Sequence, residues 1–350
     1  MKLKLLGTIL AATLTLGISC TKENNNPEPP IDKPQPQTEF ATGADISWVT
    51  QMEKEGIVFK DKNGKPTDCF ALMKDLGMNS IRLRVWVDPS ANGNWCNKED
   101  LLIKAKRANA LGLKVMVDFH YSDWWADPGK QNKPASWKDL DLNGLCDALA
   151  SHTKEVLELL KANNITPEWV QVGNETSDGM LWEDGRASTN MAAYATLTNT
   201  GYKAVKEVFP QAIVIVHLNN GFDAPLYKWL FDGLKNNNCQ WDMIGMSLYP
   251  SADNWESTVN QTIANMMTLS TLYNKPIMIC EVGMPWDRPQ ECYDFLTSLI
   301  QKGKSSVKEN FKGVFYWEPE CNPAWNNYTL GAFDSDFKPT KALDAFKESK

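Results

Sequence analysis

The chain has 350 residues, of which 43% are hydrophobic, and it carries a net charge of -7 with an isoelectric point near 5.2. This length is enough for a large hydrophobic core and suits either two ordinary domains or one α/β barrel. The acidic balance argues against a nucleic-acid-binding protein, which usually presents a basic face. The 14 tryptophans are many, and indole rings pack well against sugars and bases as well as in a core.

The N-terminus has the pattern of a targeting segment over residues 1–20. Lys2 and Lys4 precede an apolar stretch at residues 5–16 that is too short to span a membrane comfortably. Small residues before Cys20 predict a bacterial lipoprotein signal with Cys20 lipidated, and an ordinary secretory signal is the alternative. Lipidation would anchor the protein at the outer membrane or cell surface, and without it a secreted or periplasmic protein is expected.

Residues 21–39 are rich in proline and asparagine and contain almost no apolar side chains. This composition predicts a flexible, solvated linker. No second segment of this kind follows, so we expect residues 40–350 to form a single catalytic domain.

Seven of the eight cysteines lie beyond Cys20, and they are widely spaced. An odd number predicts at least one free thiol, and the absence of a Cys-x-x-Cys pair argues against a zinc site. Cys280 lies inside an apolar run and is expected to be a small core residue.

Apolar runs suited to buried strands alternate with stretches suited to helices throughout residues 40–350. The predicted strands are Ala44–Trp48, Ser80–Val87, Lys114–Tyr121, Glu168–Glu175, Ala212–Asn219, Met243–Tyr249, Pro276–Val282 and Gly313–Trp317. The predicted helices are Asp68–Leu76, Lys98–Leu111, Gly144–Asn163, Met191–Val208, Pro225–Asn236, Thr258–Tyr273, Gln290–Gly303 and Lys341–Glu348. Eight such alternations predict parallel strands closed into a (β/α)₈ TIM barrel. An open doubly wound sheet is the alternative, disfavoured because no Gly-x-Gly-x-x-Gly turn follows the first strand.

Polar and reactive residues crowd the C-terminal ends of several predicted strands, while the strand beginnings are aliphatic. These residues are Arg82, Arg84, Trp86, Asp118, His120, Tyr121, Asn174, Glu175, His217, Asn219, Tyr249, Glu281, Trp317 and Glu318. Because the active site of a (β/α)₈ barrel lies at this face, the pattern predicts a catalytic site there.

Two glutamates are the most informative of these residues. Glu175 and Glu281 end the fourth and seventh predicted strands, which face each other across an eight-strand ring. Two carboxylates that meet over a cleft supply the proton donor and the nucleophile or base that hydrolysis of a glycosidic bond needs. The distance between them distinguishes retention from inversion, and the sequence does not give that distance.

Other candidates lie around the two glutamates. Arg84 is expected to pair with one carboxylate and lower its pKa, or else to form a structural ion pair. Tyr249 is expected to donate a hydrogen bond to the same carboxylate. His120 and His217 are interpreted as partners of sugar hydroxyls, with satisfied core residues as the alternative.

A metal site is not predicted. Asp118, His120 and Asp123 could be its ligands, but no tight ligand cluster accompanies them. No cofactor is therefore expected.

Five tryptophans fall in predicted loops or strand ends on the active face. They are Trp124, Trp125, Trp286, Trp317 and Trp325. We expect them to be stacking platforms for a polysaccharide. Trp137, Trp169 and Trp241 are instead expected to be packing residues.

Several motifs occur together in this chain. They are Gly43-Ala44-Asp45-Ile46-Ser47, Ile81-Arg82-Leu83-Arg84-Val85-Trp86, Asp118-Phe119-His120-Tyr121-Ser122-Asp123, Trp125-Ala126-Asp127-Pro128, Gln171-Val172-Gly173-Asn174-Glu175, Tyr316-Trp317-Glu318-Pro319 and Asn322-Pro323-Ala324-Trp325. With them, nearly all of residues 43–335 resembles the glycoside hydrolases of clan A and is most similar to family 53, the endo-β-1,4-galactanases.

This resemblance implies retaining endo-hydrolysis of β-1,4-galactan, as in the type I arabinogalactan side chains of pectin. It assigns Glu175 as acid/base and Glu281 as nucleophile. Asn174 would hold the hydroxyl at carbon 2 of the sugar, and Arg84 and Tyr249 would support Glu281.

The same resemblance places Asp45 and Trp86 among the supporting residues. Two loops differ from the family pattern, at residues 251–255 and 282–284, and both border subsites. The chemistry is therefore a firmer expectation than the product length. Some relatives bind calcium in a late barrel loop, but its ligands are not placed in this sequence.

The expected partner is a β-1,4-galactan polysaccharide, bound by a monomer that touches a membrane only through its lipid anchor. Another retaining clan A endo-β-glycanase, such as a mannanase or cellulase, is the first alternative and would use the same catalytic residues. A non-catalytic surface glycan-binding protein is the second, and the presence of both glutamates with Arg84 argues against it.

Overall fold

The computed structural model describes residues 39–348. The predicted signal segment at 1–20, with Cys20, and nearly all of the predicted linker at 21–39 therefore lie outside the described residues. Within residues 39–348, none of the helices combines the length and apolar character needed to cross a bilayer.

Eight parallel strands form a closed barrel in which each strand pairs with its sequence neighbours and the last pairs with the first. The strands are β1 Ala41–Asp45, β2 Ser80–Val85, β3 Lys114–Phe119, β4 Trp169–Val172, β5 Ile213–Leu218, β6 Met243–Leu248, β7 Ile277–Val282 and β8 Phe311–Trp317. The predicted (β/α)₈ barrel is thus confirmed.

The first strand differs most from its prediction, because it begins at Ala41 rather than Ala44 and ends at Asp45. The Asp45 carboxylate accepts a hydrogen bond from the backbone N–H of Ser47 at 3.0 Å, which turns the chain out of the ladder. Trp48 therefore stands before a helix instead of closing a strand.

Helices surround the barrel in the described part of the chain. They are α1 Val49–Lys54, α2 Cys69–Asp75, α3 Lys98–Ala110, α4 Leu142–Ala162, α5 Ala187–Val208, α6 Ala224–Asn236, α7 Trp255–Tyr273, α8 Pro289–Ser306 and α9 Asp344–Glu348. The short α1 was not predicted. Helix α5 contains a kink at Asn190, whose side chain caps Ala193, so the predicted start at Met191 marks its second, regular part.

Side-chain caps fix where several of these helices begin. Asp68, Asn97, Asp141 and Asp223 each accept a hydrogen bond from a backbone N–H in the first turn of the following helix. Such caps satisfy donors that have no partner within the helix and contribute about 1 kcal/mol each.

A layer of apolar side chains fills the barrel interior. Its buried members are Ala41, Met116, Trp169, Ile215, Met243, Met278, Cys280 and Phe315. Cys280 is therefore a core residue, as predicted, and all seven cysteines of the described residues are free thiols. Trp137, Trp169 and Trp241 are also buried, which confirms their predicted packing role.

Phe315 shows how tightly this interior layer is packed. A Cβ atom added at Gly43 would lie 2.4 Å from the Phe315 ring, so only glycine fits opposite that ring. The ring also meets Trp169 edge-on, with 6.0 Å between the centroids. The residues nearer the C-terminal strand ends pack against this interior layer, so the packing of the layer supports the site.

We expect Phe315→Ala to lower the free energy of unfolding by about 3–5 kcal/mol, because it leaves a cavity beside Gly43 and Trp169. Urea and thermal unfolding would measure the loss. The control is Ile103→Ala, since Ile103 is 54% exposed on α3 and its truncation should change stability by less than about 0.5 kcal/mol. Equal losses in the two variants would contradict this account of the core.

Candidate active site

A cavity of about 670 Å³ opens at the C-terminal ends of the strands. Eight of the predicted site residues line it, namely His120, Trp124, Trp125, Asn174, Glu175, Tyr249, Glu281 and Trp317. The cavity is also lined by residues to which the sequence analysis assigned no role in the site, namely Trp48, Gln51, Asn92, Ala126, Asp127, Asn326 and Tyr328. Most of these lie in loops or at the start of α1, where no strand-end pattern indicates a role.

Different irregularities of the backbone place the two glutamates at the cavity. Glu175 follows β4, and its φ of 44° lies in the left-handed region, after Gly173 with a φ of 88°. A non-glycine residue there is strained, and such strain is often found at functional sites. Glu281 lies within β7, where the pairing with β6 shifts so that Ser247 stands opposite Glu281. Bulges of this kind redirect a side chain.

These irregularities bring the two carboxyl groups together. A carboxylate oxygen of Glu175, a ring nitrogen of His217 and a carboxylate oxygen of Glu281 all lie within 4.8 Å of one another. Glu281 is buried at 5% exposure, and Glu175 is half-buried. Two acids this close in a cavity form a centre in which one group gives up a proton while the other keeps its negative charge.

The arginine that contacts Glu281 is Arg82, so the expectation for Arg84 is wrong. The Arg82 guanidinium, with no exposed surface, lies 2.9 Å from Glu281, 2.7 Å from Asp45 and 2.9 Å from Asp118. It also donates to Asn174 at 2.9 Å. Both arginines lie on β2 at positions that point into the barrel, and which one reaches β7 depends on their depth in the barrel.

Arg84 lies on another side of the site. It pairs with Glu318 and lies 3.8 Å from the Asp45 carboxylate, so the alternative reading as a structural ion pair holds. Its guanidinium also lies 4.5–5.9 Å from the ring centroids of four tryptophans, Trp48, Trp86, Trp125 and Trp317. Cation–π contacts of this kind fix the aromatic wall of the cavity.

Hydrogen bonds distinguish the two glutamates. Glu281 receives Tyr249 Oη–H at 2.8 Å, as predicted, together with Arg82 and a longer contact of 3.4 Å from Ser247. Burial raises the pKa of Glu175 to about 7. Burial also raises the pKa of Glu281, whereas the Arg82 guanidinium and the Tyr249 hydroxyl favour its charged form. Because these donors face Glu281, we assign the negative charge of the pair to Glu281 and the proton to Glu175.

The two predicted histidines have different positions. His120 lines the cavity, its Nε2 lies 3.0 Å from Asp118, and its Nδ1 accepts from Trp86 Nε1 and the Ala126 N–H, both at 3.2 Å. His217 has no exposed surface and is not among the residues that line the cavity, so the alternative interpretation as a satisfied core residue holds. Its side chain instead lies among the buried polar side chains that contact the acidic residues of the site.

Four other predicted residues also lie away from the cavity lining. Trp325 is buried at 5% exposure, and Trp286 is half-buried outside the lining, so neither is a stacking platform in this cavity. Trp86 is buried behind Trp124, at 4.3 Å between ring centroids. Asp45 supports the site indirectly through its contact with Arg82.

Two groups of residues in the described chain could in principle hold an ion. One is Glu175 with His217 and Glu281, and the other is Glu318 with Glu320 and Cys321. Both ring nitrogens of His217 are already within hydrogen-bond distance of protein groups, and Glu318 is paired with Arg84. Asp123, weighed as a ligand from the sequence, instead accepts from two backbone N–H groups.

Known proteins resemble this chain in both sequence and structure. The profile of Glycosyl hydrolase family 53 matches residues 41–346. A probable arabinogalactan endo-β-1,4-galactanase A of Aspergillus terreus is 34% identical over 319 residues, which cover 84% of this chain and 88% of that protein. An endo-β-1,4-galactanase of Bacillus subtilis is 30% identical over 317 residues, which cover 81% of this chain and 71% of that protein.

Among solved structures, the GH53 catalytic domain of Ignisphaera aggregans has a TM-score of 0.81 and 30% identity to this chain. The match covers 91% of this chain and 99% of that domain. The profile spans the whole barrel, and the paired glutamates lie at the strand ends where a barrel hydrolase carries its site. On these grounds the chain belongs to glycosyl hydrolase family 53.

Proposed function

We propose that this protein hydrolyses internal bonds of β-1,4-galactan with retention of configuration. The observation that carries the proposal is the approach of Glu175 and Glu281 to within 4.8 Å in a tryptophan-lined cavity of a family 53 barrel. Retaining glycosidases place their two carboxyl groups about 5–5.5 Å apart, and inverting enzymes need a wider gap for a water molecule. The galactan substrate is supported by relatives that are named as galactanases.

In the first step, protonated Glu175 donates its proton to the glycosidic oxygen while Glu281 attacks the anomeric carbon. The bond to the leaving sugar breaks, an ester forms between Glu281 and the remaining sugar, and Glu175 becomes a carboxylate. Arg82 and Tyr249 hold the attacking carboxylate in place through the contacts at 2.9 and 2.8 Å.

In the second step, Glu175 acts as the base. It takes a proton from water, the water oxygen attacks the anomeric carbon, and the ester to Glu281 breaks with a second inversion. The product keeps the original configuration, and Glu175 regains the proton with which it began.

Asn174 is positioned to recognise the sugar beside the reacting bond. Its Oδ1 accepts from Arg82 at 2.9 Å, and one Nδ2 hydrogen goes to the Ala126 carbonyl at 2.9 Å. The second Nδ2 hydrogen remains for a hydroxyl of the substrate, which agrees with the contact to the hydroxyl at carbon 2 that the family resemblance implies. Trp124, Trp125 and Trp317 offer aromatic faces on the same cavity.

The substrate and the stereochemistry are tested first. We expect the purified protein to release reducing sugars from pectic galactan and to be far less active on mannan and cellulose. Proton NMR of the first product should show the β-anomer before mutarotation. Preference for mannan or cellulose would favour the alternative clan A activities, and an initial α-anomer would reject retention.

Glu281→Ala should lower kcat on galactan by roughly 10⁵-fold, because it removes the group that forms the covalent intermediate. Steady-state kinetics and calorimetric binding of a galacto-oligosaccharide would measure turnover and binding separately. Glu256→Ala is the matched control, since Glu256 is an exposed residue of α7. Substantial activity in the Glu281 variant would overturn its role as nucleophile.

Glu175→Gln should lower activity on galactan by about 10²–10⁴-fold but spare aryl glycosides with good leaving groups, which need little protonation. Wild-type kcat/KM on galactan should fall as pH rises through about 7, where Glu175 loses its catalytic proton. The variant should lose this alkaline limb. Equal losses on both substrates, or an unchanged alkaline limb, would count against the acid role.

Stability gives an independent check of the same pKa. Since the folded-state pKa of Glu175 is raised above 4.5, its stabilising effect is complete at low pH and is lost as pH rises towards 7. Glu175→Gln should therefore show a smaller loss of thermal stability between pH 5 and pH 8 than the wild type.

A further inference from the structure

Ser247 occupies a position beside both proposed catalytic carboxyl groups. Its side chain is buried at 1% exposure, and its Oγ lies 3.4 Å from Glu281 Oε2 and 2.8 Å from His217 Nε2. The irregular pairing of β6 with β7 places Ser247 directly opposite Glu281. The Ser247 side chain also acts on the second carboxyl, because it favours the ionised form of Glu175 and offsets part of the rise in its pKa that burial causes. The strand-end pattern gave no signal for Ser247, because serine is common in strands and loops alike.

Arg82 determines which groups donate and which accept in the hydrogen bonds that lead to Ser247. An arginine guanidinium only donates, so the atom of Gln171 that lies 2.6 Å from Arg82 Nε is the carbonyl oxygen. The Gln171 amide nitrogen then faces His217 Nδ1 at 2.9 Å and donates to it. The Glu175 backbone N–H also points at this nitrogen, at 3.4 Å.

These donors fix the protonation of His217. Burial and the neighbouring Arg82 charge keep the pKa of His217 well below its usual value, so the ring is neutral and carries one hydrogen. Since Nδ1 accepts from Gln171, that hydrogen is on Nε2 and is donated to Ser247 Oγ. Asn174 Oδ1, at 3.2 Å from Nδ1, accepts from Arg82 and makes no competing donation.

A serine hydroxyl that accepts from a histidine has its own hydrogen left to donate. The acceptors beside it are the carboxyl groups of Glu281 and Glu175, which lie within 4.8 Å of each other. We propose that Ser247 is a positioning residue whose single hydrogen is directed by His217 towards whichever of Glu281 and Glu175 is ionised. This proposal rests on the function proposed above.

The hydrogen then follows the negative charge through the reaction. In the free enzyme it stabilises the Glu281 carboxylate. As Glu281 becomes an ester and Glu175 becomes a carboxylate, rotation about the Ser247 Cβ–Oγ bond turns the same hydrogen to Glu175. When Glu175 takes a proton from water and Glu281 is released, the hydrogen returns. No bond of Ser247 is broken at any stage.

The first test is the pH profile of Ser247→Ala, measured on galactan and on an activated aryl β-galactoside. Loss of a donor to the Glu281 carboxylate should move the acid limb of kcat/KM upwards by about one pH unit, a tenfold change in its ionisation constant. The alkaline limb should move less, because in the doubly ionised pair the hydroxyl serves only one of two carboxylates. A role in packing alone would lower activity without moving the acid limb.

Two variants serve as controls for this profile. Ser247→Thr retains a hydroxyl and should restore the wild-type acid limb. Ser305→Ala removes an exposed serine that donates only to a backbone carbonyl, at 3.1 Å, and should match the wild type throughout. An acid limb that is identical in wild type and Ser247→Ala would overturn the proposal, provided that the wild type hydrolyses galactan.

The second test needs no substrate and therefore separates this proposal from the proposed function. The chain has three histidines, and long-range ¹H–¹⁵N correlation spectra of the uniformly labelled protein would report the ring nitrogens of each. We expect His217 with a bare Nδ1 and a protonated Nε2, and Gln171→Leu should disturb this state. A proton on Nδ1 in the wild type would overturn the proposal even if galactan is the substrate. The expected tautomer in a protein without galactanase activity would reject the function alone.

Discussion

The buried guanidinium of Arg82 is the interaction on which the rest of the site depends. It lies within 3 Å of the carboxylates of Asp45, Asp118 and Glu281, which come from three different strands. Removing one partner of such a buried network costs about 3–5 kcal/mol, because an uncompensated charge remains in the interior. Arg82 therefore holds the strand ends together, and it also favours the ionised form of Glu281.

Around the two buried arginines of the site, carboxyl groups outnumber guanidinium groups. This excess of acids explains which of the carboxyl groups hold a proton. Arg82 and Arg84 lie among six acids, namely Asp45, Asp118, Glu175, Glu281, Glu318 and Glu320. Burial raises the pKa of Glu175, and burial together with the neighbouring Glu318 charge raises that of Glu320. The same imbalance thus leaves a proton available at Glu175, where the proposed mechanism needs an acid.

One residue, Arg84, contacts both the tryptophans that line the cavity and an acidic residue beside them. Arg84 pairs with Glu318 while its guanidinium faces the rings of Trp48, Trp125 and Trp317. A cation held between indole rings is stabilised by their electron density, and it keeps those rings in fixed orientations. The surface available to a sugar is thereby set by a residue that the sugar does not touch.

The sequence alone predicted the barrel, its active face and the pairing of Glu175 with Glu281, because alternating buried runs and strand-end polarity are local patterns that a closed parallel barrel satisfies. It did not distinguish Arg82 from Arg84, it did not indicate a role for Ser247, and it left a buried position for His217 as one of two interpretations. Those outcomes depend on depth within the barrel and on the shifted register between β6 and β7. Neither is encoded in the spacing of residues along one strand, since both arise only when neighbouring strands pack and pair.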